Sequence, residues 1–86
     1  KKKLKKKLKM NDIKSTAEYL IKAIVSDADA VSLETIEDNG ILILNVIAPP
    51  EIIGQIIGKE GKIIKSIRTL LNLTYPSTRY LLQIKE

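Results

Sequence analysis

The segment Gly58-Lys59-Glu60-Gly61 is where residue types and spacing best suit chemistry. Two glycines bracket two residues, which allows a sharp reversal and leaves backbone bare enough for a phosphate chain to lie against it. A helix starting near Gly61 would point free N–H groups and its positive end at the loop. Lys59 adds a charge inside it, and Lys62, Lys65 and Arg68 follow at three-residue spacing. Within 59–68 these four bases face one acid, Glu60. The chemistry this suits is the holding of an anion. Two plainer explanations compete: a G-x-x-G pattern is a common turn, and three cations on a helix are ordinarily its solvated face. A P-loop is excluded, because only three residues separate Gly54 from Gly58 and Glu60 stands where Ser or Thr must hold magnesium.

Catalysis finds little support. The chain has no His and no Cys, which removes the commonest general base, a thiolate nucleophile, Cys-ligated zinc and any disulfide. No enzyme activity, metal or cofactor is expected. Glu34, Glu37 and Asp38 read as a solvated hairpin tip, and Asp27 and Asp29 as turn residues too few to ligate calcium. There is no Phe or Trp and only three Tyr, so a flat aromatic platform for stacked bases is not expected. Tyr19 falls beside the apolar stripe of the first helix and is expected to pack and not to stack a base.

Length and charge set the frame. The 86 residues make one small domain, with 44% hydrophobic and 29% charged residues and a net charge of +5. That charge is concentrated. Residues 1–9, KKKLKKKLK, hold seven of the 15 bases, and the remainder carries eight bases against 10 acids, a net −2. Residues 1–9 are expected to be a disordered Lys-rich tail, because seven lysines repel and two leucines bury little. They read as an expression remnant or an upstream extension with no fold of its own, with Met10 as the natural start; a native nucleic-acid-binding arm is the alternative. No apolar run approaches the roughly 18 residues of a membrane span, so no membrane insertion is expected and the location is expected to be cytoplasmic.

The elements that must position the loop follow from periodicity. Ile13, Ala17, Leu20, Ile21 and Ile24 predict a helix over about 12–26, with Asn11, Asp12 or Ser15 as cap. A strand is expected over 31–37, a tight turn at Asp38-Asn39-Gly40, and a second strand over 41–47, ILILNVI, apolar on both faces and therefore central. Pro49 and Pro50 open a short helix over 51–57. After the loop, a helix runs from Lys62 to about Asn72, with Ile63, Ile64, Ile67, Leu70 and Leu71 inward. Leu73–Thr78 reads as a loop and 79–85 as a last strand. Right-handed crossover predicts strands 41–47 and 79–85 parallel, with 31–37 antiparallel. The fold class is α+β, order α-β-β-α-α-β, with a three-stranded mixed sheet and three helices on one face.

The run Ile57-Gly58-Lys59-Glu60-Gly61-Lys62-Ile63-Ile64 between two helices resembles the signature of the KH domain, a single-stranded nucleic-acid-binding module. The leading helix and strand are similar to the type II arrangement. Ala48-Pro49, the stretch Ile53-Gly54 through Gly61, and Ile67-Arg68-Thr69-Leu70-Leu71 resemble the small bacterial single-KH proteins of the KhpA family, over residues 10–86. The chain departs from that family at Leu73–Arg79, which is shorter and carries Tyr75-Pro76, at Gln55 and Ile63, and in its tail.

The resemblance implies RNA binding without catalysis. It implies that Gly58, Lys59, Glu60 and Gly61 touch the sugar-phosphate backbone, that Gly54 and Ile57 line an aliphatic groove, and that Lys62, Lys65 and Arg68 flank it. It further implies single-stranded RNA as ligand, a homodimer or a heterodimer with a larger KH-containing RNA-binding protein, and a role as post-transcriptional regulator or RNA chaperone. The alternative is a dimerisation module with incidental nucleic-acid contact.

Overall fold

A computed structural model describes residues 10–85. The expected tail, residues 1–9, lies outside the described residues. The elements are α1 (Met10–Ile24), β1 (Ser32–Asp38), β2 (Ile41–Ile47), α2 (Pro50–Ile57), α3 (Lys62–Thr74) and β3 (Tyr80–Lys85). Short 3₁₀ turns occupy Ala28–Ala30 and Lys59–Gly61. The element order is the expected one.

The sheet has order β1-β2-β3. β1 pairs antiparallel with β2 through the Asn39-Gly40 turn, and β2 pairs parallel with β3. Parallel strands need a long crossover, and the α2–loop–α3 unit is that crossover. Leu42, Leu44 and Val46 of β2, with Leu33 and Leu82 beside them, form the sheet's half of one core. The helices supply Ile13, Ala17 and Ile21 from α1, Ile52, Ile53 and Ile56 from α2, and Ile64, Ile67 and Leu71 from α3. Each large side chain among these contributes about 1.5–3 kcal/mol by leaving water. Polar ties fasten the helical layer at its ends. The Thr16 and Tyr75 hydroxyls share a hydrogen bond between α1 and the exit of α3. The Gln55 amide takes the Ser26 N–H at 2.8 Å and donates to Ser26 Oγ at 3.1 Å.

Several expectations are corrected. α1 already includes Met10, so Asn11, Asp12 and Ser15 lie within the helix and not ahead of it. Tyr19 does not pack: it is 73% exposed, on the face turned from the Ile13–Ala17–Ile21 stripe. Ile24 closes α1 at the surface. α3 runs two residues further than expected, through Leu73 and Thr74, and the Thr74 hydroxyl folds back on the Leu70 carbonyl at 2.8 Å. Ile63 and Leu70 are exposed, because Ile64, Ile67 and Leu71 already fill the one face of α3 that meets the core. Two expectations hold: β2 is central, and the helices lie on one face of the sheet.

Candidate nucleic-acid interface

α2 begins at Pro50, whose fixed φ and missing N–H suit a first turn. It ends where the Gly58 N–H closes on the Gly54 carbonyl at 2.9 Å. Gly58 then swings to φ 77°, ψ 177°, a conformation confined to glycine. Glu60 (φ 58°, ψ 26°) and Gly61 (φ 74°, ψ 14°) are both left-handed, and the Gly61 N–H returns to the Gly58 carbonyl at 3.1 Å. Lys62 starts α3 with no side chain capping its first turn.

The three glycines here have different reasons to be glycine. A Cβ on Gly58 would fall 2.5–2.9 Å from three carbons of Ile63, besides facing a positive φ. Ile63, off the core-facing side of α3, lies against the Gly58 backbone. Gly61 needs glycine only for its φ, since a Cβ there meets open space. Gly54 has neither reason. It sits inside α2, exposed, with nothing within 4 Å of an added Cβ, where glycine costs a helix roughly 0.5–1 kcal/mol against alanine. Gly54 lies one helical turn before Gly58 and leaves the backbone of α2 uncovered beside the loop. Ile57, 36% exposed, stands between them as an aliphatic wall.

Lys59, Lys62, Lys65 and Arg68 are all exposed. Among the described residues the only ion pair is Lys22–Glu18, at 3.0 Å, so these four cations are uncommitted. At three-residue spacing they wind across the outer surface of α3 from the loop toward β3. Arg68 arrives beside Tyr80, whose hydroxyl donates to the Arg68 carbonyl at 3.3 Å and to Asn72 Oδ1 at 2.8 Å. The structure thus gathers Gly54, Ile57, Gly58, Lys59, Glu60, Gly61 and Lys62 around one loop, and sets Lys65 and Arg68 along the helix leading away. The sequence does not point to Tyr80 as the residue fastening that helix to β3; only its place opposite Asn72 in the fold gives it the role. The arrangement offers bare backbone, an uncapped helix start and unpaired cations on one surface, which suits a phosphodiester chain.

Comparisons with known proteins point to one family. The family model described as KhpA/KhpB, KH domain matches residues 14–84. The chain is 34% identical over 68 residues to the RNA-binding protein KhpA of Borreliella burgdorferi, covering 79% of this chain and 83% of that one. It is 43% identical over 54 residues to the RNA-binding protein KhpA of Chlamydia pneumoniae, covering 62% and 68%. No solved structure matches it. With a match spanning nearly all of the described residues and a G-x-x-G loop set between α2 and α3, the chain belongs to the KhpA/KhpB KH-domain family.

Proposed function

We propose that this chain is a non-catalytic RNA-binding protein that grips single-stranded RNA through the Gly58–Gly61 loop and the aliphatic groove beside it. The observation that carries this is Gly54, a glycine that costs α2 stability and serves no packing need, next to a loop whose cations are all unpaired. Gly58, Lys59, Glu60 and Gly61 meet the phosphates, Gly54 and Ile57 face the bases, and Lys62, Lys65 and Arg68 attract the strand. An aliphatic groove accounts for base contact without Phe or Trp. Such contacts favour backbone over sequence, in keeping with a post-transcriptional regulator or RNA chaperone in the cytoplasm.

The loop is tested by Lys59→Asp with Glu60→Asp, which takes its charge from zero to −2. The left-handed Glu60 position accepts Asp readily, so stability changes by no more than about 1 kcal/mol. RNA binding, followed by fluorescence anisotropy, is expected to be lost while the melting curve is kept. Undiminished binding by the folded variant would move the RNA contact elsewhere. The seven lysines of residues 1–9 add sequence-independent phosphate pairing in the same proposal, so their deletion flattens the salt dependence. For single strands each phosphate neutralised by a lysine is worth about 0.7 in the log–log slope.

The exposed stripe Ile63, Leu70 and Leu73 on α3 carries no charge. In this proposal it meets a protein partner, a second copy or a larger protein with its own KH domain. A dimerisation module with incidental RNA contact is less favoured, because it leaves Gly54 unexplained.

A further inference from the structure

The sheet face turned away from the helices has no covering layer among the described residues. It is organised in rows. Ile36, Ile43 and Leu81 lie side by side across the three strands, with Ile36 52% and Leu81 47% exposed. The next row is Glu34, Asn45 and Gln83, and Ile47 follows on the central strand. Asn45 is thus a polar residue set between two isoleucines. It is 3% exposed, and its Oδ1 is buried with no hydrogen-bond partner. A buried amide oxygen normally finds a donor. Its row neighbour Glu34 is exposed and forms no ion pair among the described residues. Charge is sorted across the same face: Glu34 and Asp38 stand on β1, which carries no base, while Arg79 just precedes β3 and Lys85 ends it.

We propose that this face docks an amphipathic helix of a different protein, with an arginine set in the helix's apolar stripe above Asn45. Three strands about 4.8 Å apart and about seven residues long make a strip roughly 14 Å by 23 Å. A helix is about 10–12 Å across and rises about 1.5 Å per residue, so one of about 15 residues has that footprint. Its apolar side chains cover Ile36, Ile43, Ile47 and Leu81. The row of Glu34 and Asn45 interrupts them with acceptor oxygens on neighbouring strands. A guanidinium carries five N–H donors in a planar fork, so one arginine pairs with the Glu34 carboxylate and also donates to Asn45 Oδ1. The exposed Glu34 and Gln83 side chains on either side of Asn45 move fast enough to admit it. The charges set the helix's flanks, basic over β1 and acidic over Arg79 and Lys85. The chain's own arginines are Arg68, on the glycine-loop surface, and Arg79, already on this face, so the docked arginine comes from another protein. RNA is a poor occupant, since none of these residues is aromatic and β1 is acidic.

Docking here gives Asn45 a reason that packing denies it. A leucine would fill the same central position with no unmet hydrogen bond. The face is separate from the exposed Ile63, Leu70 and Leu73 stripe of α3. The glycine loop and its cations belong to the helical side of the sheet, so helix and RNA are held at once on opposite sides. The chain then carries the docked protein to RNA without that protein touching the strand.

Fluorescence anisotropy on the full chain provides the test, with a labelled helical peptide of about 15 residues as probe. The peptide carries leucine at every third or fourth position, arginine along one flank and glutamate along the other. Its central stripe position is either arginine or leucine. The parent is expected to bind the arginine form about tenfold more tightly than the leucine form. Asn45→Leu should reverse that preference, and Glu34→Gln should shrink it. Glu34 is exposed, so Glu34→Gln keeps the test decisive if Asn45→Leu fails to fold. Single-stranded RNA should bind parent and folded variants alike. Equal binding of both peptides by the parent would overturn the proposal, as would a preference that the folded variants keep. So would loss of peptide binding in Leu70→Lys, which would move the helix to α3. Loss of RNA binding in Glu34→Gln would assign the face to RNA, and a change in the chain's own assembly would assign it to a second copy; either result overturns the proposal.

Discussion

The hairpin turn at Asn39-Gly40 and the loop at Glu60-Gly61 share a backbone conformation. Each places two successive residues in the left-handed region, with φ of 54° and 80° in the first and 58° and 74° in the second. Asn enters that region at little cost, and Asn-Gly is the preferred pair for a two-residue hairpin. Glu does not, and its left-handed geometry costs about 1 kcal/mol or more. The hairpin stands among acids, Glu37 and Asp38; the loop stands at a helix start among Lys59 and Lys62. One turn is built from residues that suit it and joins two strands. The other keeps an ill-suited residue among cations at an uncapped helix start. Strain at a residue ill-suited to its turn, beside charge without partners, distinguishes the glycine loop from the hairpin turn.

Single substitutions sharpen that contrast. Gly58→Ala has the largest expected effect, about 2–3 kcal/mol of destabilisation in thermal or urea unfolding, because the methyl strikes Ile63 as well as facing positive φ. Adding Ile63→Ala should recover part of that stability. Gly61→Ala and Gly40→Ala come next. Both meet open space and only a positive φ, so each should cost about 1–2 kcal/mol. Titration with single-stranded RNA should then divide them: Gly61→Ala weakens binding and Gly40→Ala does not. Gly54→Ala should raise stability by roughly 0.5–1 kcal/mol while lowering RNA affinity, opposite signs from one methyl group. A gain in both would remove Gly54 from the groove.

The smallest effect concerns pH. Burial raises the Tyr80 phenol above its ordinary 10.0, with the nearby Arg68 charge pulling more weakly the other way. Unfolded chains therefore release this proton first as pH rises. The stability held by the neutral hydroxyl is complete below about pH 10 and declines above it. Tyr80→Phe should show a shallower decline in alkaline melts.

Much of the fold is legible in the residues. ILILNVI predicts a strand whose bounds, 41–47, match the structure, because Gly40 and Pro49 punctuate it on both sides. The crossover rule predicts both strand directions. Periodicity cannot say which of the two apolar stripes on α3 meets the core. Ile63 reads as inward by its type, but Ile64, Ile67 and Leu71 take the core-facing side and Ile63 lies against Gly58 instead. Likewise ILILNVI marks β2 as central without telling that Asn45, on the face away from the helices, is buried. The glycine loop is visible as a pattern; the strain at Glu60 and the lack of packing at Gly54 are not, since both depend on backbone angles and on empty space.

The central place of β2 has a consequence for the chain as it is made. Its antiparallel partner β1 comes just before it and joins through a two-residue turn, but its parallel partner β3 is the last element of the fold. During synthesis the ILILNVI strand leaves the ribosome with one edge paired and the other open until the final residues of the sheet arrive. An apolar, β-prone, uncharged run with an open edge is a template for pairing with other chains. β3 thus protects as well as completes the sheet, and the nascent chain is most exposed to aggregation in the interval before Tyr80 appears.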